Sequence, residues 1–484
     1  MEAAGIVALL IFFLVLFGSI KGWIPQNILP MQSSLILAAL LITAVGLVLG
    51  HSINPDQVVT LTSLHPVTAT IAGFILAGAI KSAGGFTAAS GLISRLTKTS
   101  LGLPFAIILL VNIPTIFAMP CGRVWVSPLV PVALMLGYEA AKEKSDRVLP
   151  VMVVFGLVVN AAASCGPSVI GGIGVIGEGM GRFPSGSFSD HHQVAIMLIT
   201  LITMALVKVV YRTEAPPDLI LENDAGSEVP EHGYFSIIVF ITGIALTVIF
   251  RPAIPLQAIL LVMTLLIMAV ARLSIRDLVE GIMLHPLTAM ISGFIMAGVL
   301  SVFGGFDVLT AFLDYAAQHT PLGYAGVAIL FIYVPVFFPM PCGRIIAVSL
   351  IPGVLMFGEH LGEITGSELA QPAMLAAFIL AGAASCAPSP LGGIGSIGEG
   401  RLRLSRYSSE RFLSFGIFFG VPLAAVTVSL LGLGSGNFSM PMAVIAAATG
   451  LACGTGINML TGNRPWHRGG VLGGVLTGML MMVF

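Results

Sequence analysis

Charge is the scarcest property of this chain. Of 484 residues, 9% are Asp, Glu, Lys or Arg, whereas soluble domains carry about 25%. That shortage excludes a water-bathed surface over most of the molecule. Long polar segments are missing as well, so there is no place for a catalytic domain, and an enzyme is not expected. The formal net charge of −1 supplies no basic face, which excludes nucleic acid as a partner. The five cysteines show no zinc-type CxxC spacing and sit in apolar context, against both a metal site and a disulfide framework. No GxxxxGK[ST] occurs, so ATP hydrolysis is unsupported despite several glycine-rich runs.

Apolar sequence is what the chain has in excess. Hydrophobic residues make up 57% of it, arranged in about a dozen stretches near the roughly 20 residues that span a hydrocarbon layer. The first, 4–20, does not read as a cleavable signal: Met1 to Gly5 holds no cation, and another apolar segment follows Lys21. The expectation is an all-α, multi-pass protein of the cytoplasmic (inner) membrane, with the lipid bilayer as its main partner.

An internal repeat organises these stretches. Leu64-His65-Pro66-Val67-Thr68-Ala69 returns as Leu284-His285-Pro286-Leu287-Thr288-Ala289, and Gly84-Gly85-Phe86 as Gly304-Gly305-Phe306. Met119-Pro120-Cys121-Gly122-Arg123 returns as Met340-Pro341-Cys342-Gly343-Arg344. Ala163-Ser164-Cys165-Gly166-Pro167-Ser168 is followed by Gly171-Gly172-Ile173-Gly174 and Gly177-Glu178-Gly179. Its counterpart is Ala384-Ser385-Cys386-Ala387-Pro388-Ser389, followed by Gly392-Gly393-Ile394-Gly395 and Gly398-Glu399-Gly400. A colinear series of this length is not a chance match.

In the first half, helices are expected at about 4–20, 33–50, 66–83, 148–183 (broken) and 193–211. The stretch 104–137 is apolar but interrupted at its middle by Pro120 and Gly122, which break a helix, so it reads as a re-entrant hairpin. Arg95, Lys98, Lys142, Lys144 and Arg147 flank it, and cytoplasmic loops carry the Lys/Arg excess. Its counterpart, 322–358, is flanked by Asp307, Asp314, Glu359, Glu363 and Glu368 instead. The two halves therefore read as inverted, each with five spans and a hairpin. The first repeat covers 1–211, an acidic cytoplasmic linker 212–232, and the second repeat 233–432 with its broken helix at 372–400. Two further helices fall within 433–484. Threaded this way, only Arg182 and Arg251 lie outside, with both chain termini. Inverted repeats with broken helices are a construction principle of secondary transporters.

Four breaks at membrane depth are then expected, two hairpin tips and two broken helices. Each hairpin arm of about 15 residues reaches roughly 22 Å, close to mid-membrane. Helix N-termini there aim N–H groups at anions, and unwound carbonyls coordinate cations. Arg123 and Arg344 at the tips are functional candidates, since a charge at bilayer depth costs at least about 2.5 kcal/mol and guanidinium forks bind oxyanions bidentately. Two other readings stand beside substrate binding. The arginines replace bound cations, or they lock the hairpin through carbonyls and Glu178 or Glu399. Cys121, Gly122, Cys342, Gly343, Ser164, Ser168, Ser385 and Ser389 complete the candidate substrate site. For the cysteines, small-residue packing competes with thiolate ligation; for the serines, satisfying freed backbone competes with binding. Ion coupling falls to Cys165, Gly166, Gly171, Cys386, Ala387, Gly392, Glu178 and Glu399. His65 and His285 precede prolines at helix starts and read as interfacial caps.

The order of a polar-tipped hairpin and a broken helix ending in GGxG-x-x-G resembles the ion transporter superfamily, which includes divalent anion/sodium symporters and citrate, arsenite and sodium/proton carriers. The resemblance runs from about Pro66 to Tyr211 and from Pro286 to Leu430. Where those symporters carry Ser-Asn-Thr at the tip, this chain has Pro120-Cys121-Gly122 and Pro341-Cys342-Gly343. Their GGxGTxxGTxxN appears here as Gly171 to Glu178 and Gly392 to Glu399. The resemblance implies a homodimer with scaffold and transport domains, the hairpins and broken helices moving together as an elevator. It also implies carriage of a small anion, an organic carboxylate or related oxyanion, coupled to sodium or protons. A sodium/proton antiporter and a metalloid or metal-ion efflux carrier are the alternatives. No cofactor is implied beyond a possible sodium ion.

Overall fold

The computed structural model describes residues 2–25, 29–51, 54–59, 64–100, 102–117, 121–144, 146, 148–166, 172–184, 187, 189–210, 231–250, 256–280, 284–337, 342–387 and 394, with a few positions between 448 and 460. Among these, all regular structure is helical. Among the described residues five helices are long and apolar enough to cross a membrane, six if a bent pair is taken as one span. Shorter apolar helices pack among them. The chain is thus a polytopic, α-helical integral membrane protein. Its outer surface agrees: Leu14, Leu40 and Leu265 are 62%, 59% and 63% exposed, as befits helices whose outer faces meet lipid and not water.

The first half opens with α1 (Glu2–Ile20), α2 (Met31–Val48) and the short α3 (Pro55–Val59). Then comes α4 (Leu64–Ser82), from which α5 (Gly85–Leu96) departs at 66°. The bend is made by Gly84, whose φ of 81° is left-handed, a conformation that costs glycine nothing. Next follow α6 (Gly102–Ile116), α7 (Arg123–Lys144), α8 (Leu149–Ala163), α9 (Ile173–Met180) and α10 (Ser189–Val210). The second half contains α11 (Gly233–Phe250), α12 (Leu256–Ala271), α13 (Ile275–Val279), α14 (Leu284–Val302) and α15 (Gly305–His319). It continues with α16 (Gly323–Ile332), α17 (Val334–Phe337), α18 (Arg344–Thr365) and α19 (Ala370–Ala384).

The repeated sequence folds into matched elements. Helices α4 and α14 are each 19 residues long, α7 and α18 each 22, and α8 and α19 each 15. Gly304, with φ 72°, bends the chain between α14 and α15 as Gly84 does between α4 and α5. Packing is reciprocal. Helix α14 lies on α2 while α4 lies on α12, and α1 meets α15 while α11 meets α5. A second group, α6 to α10 with α16 to α19, packs mostly within its own half and joins at the centre through α8, α9, α18 and α19.

The stretch expected as the first hairpin is two helices, α6 and α7, packed against each other around the break after Ile116. Its counterpart is α16 and α17 followed by α18. The broken helix of the first half is α8 and α9. In the second half α19 is followed to Ala387, and Ile394 is helical beyond it. Ser168, Gly171, Ser389, Gly392, Glu399, the linker from 211 to 230 and most of the expected C-terminal helices lie outside the described residues. Helix α5 has no counterpart among the helices expected in the first half; at Gly84, as at Gly304, a left-handed glycine turns the chain once and a new helix starts.

Candidate functional site

The site is assembled by backbone lying on backbone. At the first tip Gly122 faces the last turns of α8 so closely that a Cβ would fall 1.8 Å from Ala161 O; at the second, a Cβ on Gly343 would fall 1.7 Å from Gly382 O. Only glycine permits that approach. It brings the flanking cysteines into register with the broken helices. The thiols of Cys121 and Cys165 hydrogen-bond to one another, as do those of Cys342 and Cys386. Gly343 N also donates to Cys386 Sγ at 2.9 Å.

Each broken helix closes its own gap. The start of α9 is bonded to the end of α8, Ile173 N donating to Cys165 O at 2.9 Å and Gly174 N to Gly166 O at 3.1 Å. In the second half Ile394 N donates to Cys386 O at 3.0 Å. The carbonyls freed by unwinding are taken up locally. Ser164 Oγ donates to Ala161 O at 2.7 Å and Ser385 Oγ to Gly382 O at 2.8 Å. Those two hydroxyl hydrogens are therefore spent on backbone, the usual competition of serine with helical bonding.

One small cavity, ≈ 10 Å³, lies between the tips and the breaks, room for about one water molecule. Arg123 and Arg344 line it together with all four cysteines, and Ile173 and Ile394 form apolar walls. Arg344 is 1% exposed and Arg123 half-buried, so the two halves present their guanidinium groups unequally. An arginine stays charged at any accessible pH, which makes the cavity a fixed focus of positive charge in apolar surroundings. Among the described residues no group of three or more His, Cys, Asp or Glu is placed to hold a metal ion; the thiols stand as two pairs.

Of the candidate residues, Cys121, Arg123, Cys165, Cys342, Arg344 and Cys386 thus converge, and Gly122, Gly343, Gly166 and Ala387 form the backbone beneath them. Glu178 is buried on α9 and does not line the cavity. Two features had no sequence signal. His285, read as an interfacial cap, lines the cavity instead. A buried polar network also stands behind the first tip. Thr115 N and Oγ1 donate to Asn160 Oδ1 at 3.2 and 2.7 Å. Asn160 Nδ2 in turn donates to Asn112 Oδ1 and Thr200 Oγ1, each at 3.2 Å. No family model and no curated protein matches the chain.

Proposed function

We propose that this protein is a secondary active transporter that moves a small anionic solute, an organic carboxylate or related oxyanion, across the cytoplasmic membrane. In this reading the two halves are inverted. The group containing the hairpins and broken helices moves as one body against a scaffold of α1 to α5 and α11 to α15, in a homodimer and coupled to sodium or protons. The observation that carries it is the pair of guanidinium groups, one from each half, lining a single cavity where four helix breaks meet. Guanidinium groups bind oxyanions through charge-assisted hydrogen bonds, so two of them beside one cavity favour an anionic ligand. Helix starts at Arg123 and Arg344 add the positive ends of two helices. The reciprocal packing of α1 to α5 with α11 to α15, beside a group packed mostly within its own half, is the feature that suggests the two moving parts.

The test is transport itself. Purified protein in liposomes is expected to take up members of a carboxylate and oxyanion panel saturably under an imposed sodium or proton gradient. Arg123→Ala and Arg344→Ala should each lower uptake tenfold or more, the scale of a lost charge-assisted hydrogen bond. Uptake unchanged in both variants refutes the reading. The thiol pairs favour one second reading, a carrier of thiophilic metalloid, for which arsenite in the same panel is the discriminating member.

A further inference from the structure

His285 opens α14, in the group of helices that pack reciprocally, yet it lines the same cavity as the two arginines. Its ring is held from behind: Gln32 Nε2, on α2, meets His285 Nδ1 at 2.7 Å and also approaches Thr288 Oγ1 at 3.5 Å. With an amide donating to Nδ1, the neutral imidazole carries its proton on Nε2. That Nε2 is buried and has no hydrogen-bond partner among the described residues. A buried donor left without an acceptor is costly, and in a folded protein it calls for an explanation. The cavity provides one. Resting on the anion-carrier reading above, we infer that the Nε2–H of His285 is the third donor of the anion site, joining Arg123 and Arg344.

The same geometry narrows the class of ligand. A space of ≈ 10 Å³, about one water molecule, has to widen to admit any anion, and it widens least for a small one. The site takes a single compact anionic group, one carboxylate or one inorganic oxyanion, which accepts from two guanidinium groups and an imidazole. Because the imidazole stands on α14 and the guanidinium groups on α7 and α18, the bound anion also ties the hairpin tips to the neighbouring group of helices.

The experiment uses the intact protein in detergent and sulfate, acetate and succinate as probes, against a gluconate background. Affinities are read from the concentration dependence of the melting temperature. Sulfate or acetate is expected to stabilise the native protein, His285→Leu to weaken that binding about tenfold or more, and His285→Gln, which keeps an N–H, to restore most of it. In liposomes containing protein labelled with 15N in its histidine rings, the Nε2 signal missing from His285→Gln should shift when the probe saturates. The shift itself is read on the native protein, and the variant serves only to assign the signal. Native affinity in His285→Leu, or an Nε2 signal indifferent to the probe, overturns the assignment of His285 while Arg123-dependent binding leaves the anion carrier standing. Succinate binding more tightly than both sulfate and acetate overturns the compact class. If none of the probes stabilises the native protein, the inference and the reading beneath it fall together.

Discussion

A missing Cβ at each hairpin tip decides whether the cavity exists. At Gly343 a methyl group would meet Gly382 O at 1.7 Å and Ser385 Oγ at 2.5 Å, and at Gly122 it would meet Ala161 O at 1.8 Å. Backbone atoms cannot step aside as the end of a flexible side chain can, so Gly343→Ala must push the tip off α19. The expected cost is about 1–3 kcal/mol or more, seen as a lower melting temperature and lost anion binding. Gly179→Ala is the control, since its Cβ would find nothing within 4 Å; equal melting of the two variants would show that the tip does not rest on the helix. Much of this was legible in sequence, because Pro-Cys-Gly-Arg and Ser-Cys recur in both halves and a repeated break marks a built one. His285 was not legible. A histidine before a proline at a helix start reads locally as a cap, and nothing local brings it to Arg123, a residue of the other half. For Ser164 and Ser385 the structure shows the backbone role that the sequence left open beside ligand binding: their hydroxyls donate to Ala161 O and Gly382 O.

Helices α6, α8 and α10 are tied together by a network of side-chain hydrogen bonds. Asn160 there uses both its carbonyl and its amide on Thr115, Asn112 and Thr200, and Asn112 Nδ2 donates on to Ile108 O at 2.8 Å. The repeat places Tyr333, Val336 and Ala381 where the first half has Asn112, Thr115 and Asn160. The first half thus adds a side-chain amide network between α6 and α8 to the contacts at its tip, whereas at the second tip Gly343 N donates to Cys386 Sγ. Asn160→Leu, close in volume, strips the buried Thr115 N–H of that acceptor, a loss of about 1–3 kcal/mol. Hydrogen exchange should rise around Thr115 and stay unchanged around Val336; uniform rates in both places would mean that the network pins nothing. Long apolar runs made most helices readable, with α1, α2, α4 and α10 starting and ending within a few residues of their expected bounds. Bends were harder. A Gly-Gly pair signals a break, but whether the chain then forms a loop or resumes as α5 and α15 depends on one left-handed residue and on the helices waiting to pack against the new segment.

At the scale of the whole molecule, reciprocal packing relates the halves by a two-fold exchange: α14 on α2 answers α4 on α12, and α1 on α15 answers α11 on α5. Such exchange is the same whether the axis stands along the membrane normal or lies in its plane, and only the second makes the halves inverted. Charge separates the two cases. Equivalent positions near the ends of α7 and α18 hold Lys142 and Glu363, both exposed, and under the proposed inversion, with cations kept on the cytoplasmic side, they would stand on opposite faces. All five native cysteines are buried, so a single new thiol at either position stands out against a low background. In intact cells an impermeant maleimide should label Glu363→Cys at once and Lys142→Cys only after the membrane is opened. Labelling of both from the same side would make the repeats parallel. The hairpins would then enter from one face, and a shared cavity between their tips would have no alternating route to the two solutions, which is the property on which carriage of an anion across the bilayer depends.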